Sequence, residues 1–444
     1  MGAFWNRLFF TPLLYLLTAA ASLLLLFAYM APPLLPAGQG LALALLLLTV
    51  TDGLLLFQRQ DLIGLRRELP ERFSNGDENP VEVQIENRYR FPVQGLLIDE
   101  LPEQFQVRDM RIPLRLEAGG TQRLHYTLRP VERGAYEFGA LHLLVSSPLR
   151  LVRRRYTLDA GTSVPVYPGF IQMQKYQLMA AAGRLNEVGI RTTRRLGHSS
   201  EFEQIKSYVR GDDYRTINWK ASARRGELMA NQYTDEKAQN VYCLIDKSRY
   251  MRSAFNGLTL LDYAINASLV LANIAVQKQD KAGLITFAER IGTHVPPSAR
   301  PVQISRIMET LYNQQTRFLE SDYERLYVEI KRSINHRSLL ILFTNFESIS
   351  GMQRQLPYLK QIALNHLLVV VFFENTELNR LTEQTPRTVE EVYIKTTGQY
   401  FAYEKRQIVK ELEQQGIHAL LTAPEHLTVN ALNTYLQLKT QRRI

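Results

Sequence analysis

The run Val241-Tyr-Cys-Leu-Ile245 constrains this chain more than any other stretch, because it is continuously apolar and stops at Asp246. A run of that kind, closed by a turn signal, reads as a strand buried on both faces of a parallel sheet. Leu339-Leu-Ile-Leu-Phe-Thr344 and Leu367-Leu-Val-Val-Val-Phe-Phe373 have the same character, and Ala282-Gly-Leu-Ile-Thr-Phe287 comes close to it. Helical patterns separate them: Leu260 to Val276, Val302 to Tyr312, Asp322 to Ile334 with Ser321 as cap, Met352 to Ala363, and Gln407 to Gln415. Ile291 to Val295 fits a hairpin edge, His418 to Leu421 a last strand, and Leu427 to Leu438 a closing amphipathic helix. This alternation over residues 238–444 specifies an α/β domain with a doubly wound, mainly parallel sheet. Ligands of such sheets bind beyond the carboxyl ends of the strands, so Asp246 and Ser248 stand where a cation or a phosphate is expected.

No Gly-x-Gly-x-x-Gly or Gly-x-x-x-x-Gly-Lys loop follows any of these strands, and no His/Cys group has zinc spacing. Nucleotide and zinc binding therefore lack their usual signatures. The single cysteine, Cys243, excludes an intramolecular disulfide; mid-strand, it reads as a small buried apolar residue.

The amino terminus obeys a different rule. Leu8 to Met30 carries no charged residue, and Leu34 to Phe57 carries only Asp52. Each is long enough to cross a bilayer, and the Pro/Gly-rich turn at residues 31–40 joins them. The first apolar region is too long for a cleaved signal peptide, and a second follows at once. Arg7 precedes the pair and Arg59, Arg66 and Arg67 follow it, while the loop has no Lys or Arg. That asymmetry places both ends in the cytoplasm, with residues 1–60 as a transmembrane hairpin anchor and Asp52 near the headgroups.

From Glu71 to about Phe170 the period becomes two. Val81, Val83 and Ile85 alternate with Glu82, Gln84 and Glu86, and Leu96 to Ile98, Phe105 to Val107, Leu124 to Leu128, Tyr136 to Phe138 and Leu141 to Val145 repeat the theme. Short strands broken by Asn75-Gly76, Gly119-Gly120 and Arg133-Gly134 suggest a small β-sandwich over 71–170, immunoglobulin-like in outline but without its Cys…Trp…Cys pattern. Arg150, Arg153, Arg154 and Arg155 read first as a solvated strand edge, with lipid headgroups or an acidic partner as the alternative. The domain shows no catalytic constellation and reads as a spacer or interaction module.

Residues 171–237 hold much of the formal charge of +10. After a helical linker at Met173 to Val188, the stretch Arg184 to Arg225 has ten Lys/Arg against five Asp/Glu. Ser200 and Glu203 form a capping-box pattern for a helix through Tyr208, with a second helix from Asp212-Asp213 through Ile217, Trp219 and Ala221 to Arg224. Trp219 among Arg215, Lys220 and Arg224 is a candidate base-stacking platform for single-stranded nucleic acid. Asp212 and Asp213 are a candidate carboxylate pair for a metal-dependent hydrolase of phosphate-containing substrates. The plainer reading is an ion-paired structural or partner-binding element: Asp212 or Asp213 with Arg215 or Arg224, and Trp219 as core.

Gly-His-Ser-Ser-Glu-Phe from Gly197, then Tyr208-Val-Arg-Gly-Asp-Asp-Tyr-Arg-Thr-Ile-Asn-Trp-Lys-Ala-Ser-Ala-Arg-Arg-Gly-Glu-Leu228, then Leu244-Ile-Asp-Lys-Ser248 together resemble the bacterial domain-of-unknown-function family 58. The resemblance runs through the whole chain: hairpin, β domain, signature and a carboxy-terminal domain similar to von Willebrand factor A. It implies a bacterial protein of the inner (cytoplasmic) membrane and a MoxR-type AAA+ ATPase as partner.

For domains similar to von Willebrand factor A, the resemblance implies a metal-ion-dependent adhesion site: Asp-x-Ser-x-Ser, a Thr from a second loop and an Asp from a third. Here the first loop is Asp246-Lys-Ser248-Arg-Tyr250, with Tyr in the last hydroxyl position. The third is Phe343-Thr344-Asn345, with Asn where Asp is usual; spacing leaves the second open between Thr316 and Ser321. Mg²⁺ wants near-octahedral oxygen ligands, so a set of Asp246, Ser248, Thr316 and Asn345 is a degenerate one. The expectation is a metal-free turn that binds protein through Asp246, Tyr250 and Thr344, helped by the signature residues Asp212, Asp213, Arg215, Trp219, Lys220 and Arg224. The chain as a whole reads as a non-enzymatic, membrane-anchored adaptor with its globular domains on the cytoplasmic side.

Overall fold

The computed structural model describes residues 7–59, 61–107, 110–158, 161–181, 189–190, 201–209, 213–234, 238–383, 386 and 388–441. The chain divides into two compact units, Met1–Tyr167 and Pro168–Ile444.

In the first unit a short strand β1 (Leu8–Phe10) precedes two apolar helices, α1 (Pro12–Met30) and α2 (Leu35–Phe57). Thr11 caps α1 and Pro12 opens it, the position where a missing N–H costs nothing. The first helix thus starts after Thr11, and Leu8 to Phe10 pair as a strand instead. Leu35–Phe57 is long and apolar enough to cross a membrane, and Pro12–Ala28 is a shorter apolar helix.

Strands β2 (Ile63–Glu68), β3 (Phe73–Ser74), β4 (Asn79–Asn87), β5 (Val93–Asp99), β6 (Arg111–Leu116) and β7 (Thr121–Leu128) follow. β8 (Gly134–Phe138), β9 (Leu141–Ser146), β10 (Val152–Leu158) and β11 (Thr162–Tyr167) complete the unit. They form three sheets, ordered β1-β10-β9-β5-β6, β2-β4-β7 and β3-β11-β8. Alternation is kept as expected in β4, where Val81, Val83 and Ile85 are buried. Val83 and Ile85 share a core with Leu97, Leu141, Leu143 and Val145 of the five-stranded sheet, while Val81 packs with Phe73 and Tyr136 in a second one. Phe105 to Val107 is not a strand; Glu103–Phe105 is a 3₁₀ turn in which Phe105 packs edge-on to Tyr136.

Leu14 of α1 and Leu56 of α2 belong to the first of these cores. Asp52, expected near lipid headgroups, is fully buried against protein: one oxygen accepts N–H bonds of 2.9 Å from both Leu151 and Val152, the other the Ser147 hydroxyl. Arg154 also departs from the expected solvated edge. It is buried, and its guanidinium donates to the Leu56 and Arg59 carbonyls at 2.6 Å while lying over Phe57 and Tyr156. A carboxylate with three donors, and an arginine that meets two carbonyls at a helix C-terminus and two ring faces, are partnered charges, which is why they tolerate burial.

The second unit begins with α3 (Phe170–Ala181), whose last expected residues, up to Val188, lie outside the described ones. β12 (Glu201–Ser207) pairs antiparallel with β13 (Met229–Thr234), and α4 (Trp219–Arg225) stands between them. The helix expected through Tyr208 is therefore a strand. A capping pattern is a local preference, and an available pairing edge at Met229–Thr234 overrides it.

The main sheet takes β14 (Asn240–Asp246), β17 (Lys281–Phe287), β18 (Ile291–Ser298), β19 (Leu339–Phe343), β20 (Leu367–Phe373) and β21 (His418–Thr422); a small hairpin supplies β15 (Ala254–Phe255) and β16 (Leu258–Thr259). Its order is β18-β17-β14-β19-β20-β21, parallel throughout except for the antiparallel edge β18. The buried helix α5 (Leu260–Gln277) covers one face, where Cys243 Sγ meets the Ser268 carbonyl at 3.9 Å. α6 (Val302–Tyr312) and the last helix, Leu427–Thr440, pack beside α5. The other face, with Tyr242 and Leu244, lies under α7 (Tyr323–Ser333), α8 (Ile349–Asn365) and the end of a 26-residue helix, Val389–Gln414. Asp322, not Ser321, caps α7. α9 (Thr376–Glu383) and the first half of α10 (Val389–Gln414) have no counterpart in the sequence reading; α11 (Leu427–Thr440) is as expected. The sheet is thus doubly wound, and its order reverses between β14 and β19.

Candidate functional site

At that reversal the chain runs from β14 to α5 on one face and from β19 to α8 on the other, and a hollow opens at the carboxyl ends of the two strands. Asp246 ends β14 there, almost fully buried. One carboxylate oxygen accepts from the Ser248 N–H at 2.8 Å and from the Ser321 hydroxyl; the other accepts from Thr344 Oγ1 at 2.6 Å. Tyr323 OH lies 2.7 Å from Thr344 Oγ1. Burial pushes the Asp246 carboxyl above the usual range, while Ser321, Thr344 and the Ser248 N–H pull it back. Burial also raises Tyr323 well above a normal phenol, and the neighbouring Asp246 adds to this.

Ser248 differs from the other hydroxyls. Its Oγ is buried and makes no hydrogen bond, although it stands near enough to favour charge on Asp246. Tyr250 OH donates to Glu320 at 2.9 Å, and Arg249 donates to both Tyr250 OH and Glu320. Lys247 turns to the other side, its ammonium donating to Gln314 Oε1 at 2.9 Å, with its pKa lowered by burial and by Arg317.

The second loop is settled by geometry: Ser321 reaches Asp246, whereas Thr316 is half-buried and makes no hydrogen bond to the cluster. Arg317 N donates to the Lys247 carbonyl and Arg249 N to the Leu319 carbonyl. This pairing of loops brings Ser321, five residues beyond Thr316, to the carboxylate. Asn345 is taken up elsewhere. Its amide nitrogen donates to the Tyr250 carbonyl at 3.3 Å, and its oxygen accepts from Lys405 Nζ of α10 at 2.6 Å. Burial lowers the Lys405 ammonium to about 8, with Glu347 acting in the opposite direction.

This donor set does not fit Mg²⁺. It offers one carboxylate whose oxygens already receive hydroxyl protons, and an ammonium holds the Asn345 amide, where the expected ligand pattern calls for a second carboxylate. A hard dication needs about six oxygens and is repelled by a neighbouring ammonium. Among the described residues, no three His, Cys, Asp or Glu side chains come together as a metal cluster.

Two hollows open beside the turn. A small one of about 70 Å³ is lined by Asp246, Tyr250, Ser321, Asn345 and Glu347. A larger one of about 690 Å³ runs under α10, with Phe255, Phe373, Leu421, Lys405 and Arg406 in its wall. Asn345 and Glu347 border both.

The signature residues make no hydrogen bond or ion pair with the Asp246 cluster among the described residues. Trp219, expected as core, is 70% exposed at the first turn of α4. That turn is capped by Asn218, and Asp213 caps the 3₁₀ turn before it through the Arg215 N–H at 2.9 Å. Arg215, Lys220 and Arg224 are exposed, the last two beside a shallow hollow with Asn218 and Met229. Asp212 lies outside the described residues.

The span from β12 into α10 is also where comparison with known proteins gives a match. Residues 204–392 match the family described as protein of unknown function DUF58. This DUF58 stretch holds Asp246, Ser248, Ser321, Thr344 and Asn345 but stops short of Lys405. The chain is 27% identical over 203 residues to the uncharacterized protein YeaD of Bacillus subtilis (strain 168), which covers 44% of this chain and 50% of that protein. It thus spans about half the length of the curated relative it matches. Among solved structures, the conserved hypothetical protein BatB from Bacteroides thetaiotaomicron is similar over 46% of this chain and 100% of its own, with 14% identity and a TM-score of 0.32. The SpRpn10 VWA domain is similar over 44% and 94%, with 9% identity and a TM-score of 0.29.

Proposed function

We propose that the chain is a non-enzymatic adaptor, held in a membrane by α1 and α2, whose second unit receives a protein partner at the carboxyl ends of β14 and β19. The observation that carries this reading is the crevice itself: a buried Asp246 cluster beside a 690 Å³ hollow, roofed by a helix that exposes aromatic side chains. Tyr393, Tyr400, Phe401 and Tyr403 of α10 are all more than two-fifths exposed. Aromatic side chains of this kind are the commonest anchors of protein interfaces. The turn would act as a metal-free, degenerate adhesion-type site, in which Asp246 braces the loops and Tyr250 and Glu320 meet the partner.

The two apolar helices support a bacterial cytoplasmic-membrane location, and Arg7 and Arg59 on the flanks support a cytoplasmic side for both units. A MoxR-type AAA+ ATPase is the partner proposed on the family resemblance. Co-purification of the full chain from detergent tests the adaptor reading directly. Retention of an ATPase by the wild type, reduced by Phe401→Ala together with Tyr400→Ala, is the expected result; no specific protein on the wild type would end it.

A further inference from the structure

The turn between β9 and β10, Ser147-Pro-Leu-Arg-Leu151, is bolted to both helices at one level. The Thr11 hydroxyl, at the start of α1, donates to the Arg150 carbonyl at 2.6 Å, and Thr11 N donates to the Leu151 carbonyl at 3.1 Å. From the other helix, Asp52 holds the Leu151 and Val152 N–H groups. The turn therefore keeps a fixed height against the apolar helices. Its outer surface continues theirs: Leu149, Phe9 and Phe10 are each about two-fifths exposed, next along the chain to exposed Leu13. Arginines stand among them. Arg150 is exposed at the tip, Arg153 pairs across to Phe9 in the strand register, and Arg155 lies over the Phe9 ring at 5.3 Å.

A second observation concerns the Arg150 backbone. Its φ of 56° is in the left-handed region, which glycine or asparagine occupies with less strain. The backbone gains nothing from arginine at this position, so the side chain is the part that needs explaining.

We propose that this foot of the hairpin rests on an anionic phospholipid surface, with Leu149, Phe9 and Phe10 at the boundary of the acyl region and Arg150 and Arg153 on headgroup phosphates. The proposal rests on the membrane reading of α1 and α2 and deepens it. Exposed Phe and Leu side chains bury at the boundary between headgroups and acyl chains, and guanidinium groups pair with phosphate in a two-pronged geometry. The bolted turn makes the first unit a rigid platform on the bilayer.

The test uses the full chain in nanodiscs of phosphatidylcholine, alone or mixed with phosphatidylglycerol. A fluorophore is placed at Leu149→Cys and, in a second sample, at Leu46→Cys in α2; the native Cys243 is buried and does not compete. The expected result is that a headgroup-level lipid quencher reaches the Leu149→Cys label, more strongly with phosphatidylglycerol. Arg150→Gly should weaken that preference roughly fivefold, the factor one basic side chain contributes at an anionic surface. Because Arg150→Gly relieves the backbone, its melting temperature should hold or rise, which separates lost lipid contact from lost folding. An aqueous quencher reaching the Leu149→Cys label equally in both discs, with the Leu46→Cys label shielded, overturns the proposal and leaves the membrane reading standing. Both labels open to water would defeat the membrane reading and the proposal with it.

Discussion

Lys405 Nζ lies 2.6 Å from Asn345 Oδ1, so a helix 60 residues further along the chain closes the loop that follows β19. The bond puts a positive charge where a metal-binding version of this loop would carry a second carboxylate. It also fixes α10 over the larger hollow, which Lys405 and Asn345 both line.

Lys405 has a folded-state pKa of about 8, below its ordinary value. Between that value and about 10.4, the unfolded chain holds a proton that the folded chain has released. Stability should therefore rise with pH across this window, and the contribution should be absent in Lys405→Met. Urea midpoints of both proteins at about pH 7 and about pH 10 would show it. Parallel changes in the two would show that Lys405 is not the group responsible.

The hydroxyls around Asp246 should not be equivalent. Ser321→Ala and Thr344→Val each remove a buried donor to a carboxylate and should cost about 1–3 kcal/mol. Ser248→Ala removes a buried hydroxyl that makes no hydrogen bond and should cost less than either of the other two. Thermal unfolding of the three variants gives the order, and a large loss for Ser248→Ala would contradict it. If Mn²⁺ or Mg²⁺ raised the wild-type melting temperature but not that of Ser248→Ala, the metal-free assignment would be wrong.

In the first unit, Asp52→Leu would leave the Leu151 and Val152 N–H groups and the Ser147 hydroxyl buried without an acceptor. A loss of about 3 kcal/mol or more is expected, although the change makes α2 more apolar. Limited proteolysis near Pro148 should become faster. Unchanged resistance would mean that Asp52 does not hold the turn.

Trp219 offers the reverse case. At 70% exposure it contributes little to the core, so Trp219→Ala should leave the melting temperature within about 1 °C. If the signature segment touches a partner, the same variant should lower capture of that partner severalfold, as loss of an exposed aromatic anchor does. Binding of single-stranded oligonucleotide with steep salt dependence, lost in Trp219→Ala, would instead favour the stacking reading.

Where side chains obey a period, the chain was readable. β14, β19 and β20 were legible as apolar runs because a strand buried on both faces needs nothing else, and β4 because one buried face leaves a strict alternation. Asp246 could be placed at a strand end for the same reason. The segment at Glu201–Ser207 misled because a capping pattern is local, whereas its pairing edge lies more than twenty residues away at Met229–Thr234. Trp219 misled because an aromatic residue reads the same in a core and on a partner-binding surface.

The sequence by itself determined the parallel sheet, the apolar pair of helices and the turn at Asp246, all of which follow from short-range patterns of burial. Only the tertiary structure decided who meets Asp246, Asn345 and Asp52. Ser321 was selected over Thr316 by two loops lying side by side, Lys405 by the course of a long helix, and Leu151 with Val152 by a strand about a hundred residues from Asp52. Such partners share no spacing, because a hydrogen bond to a buried charge depends on distance in space and not on distance along the chain.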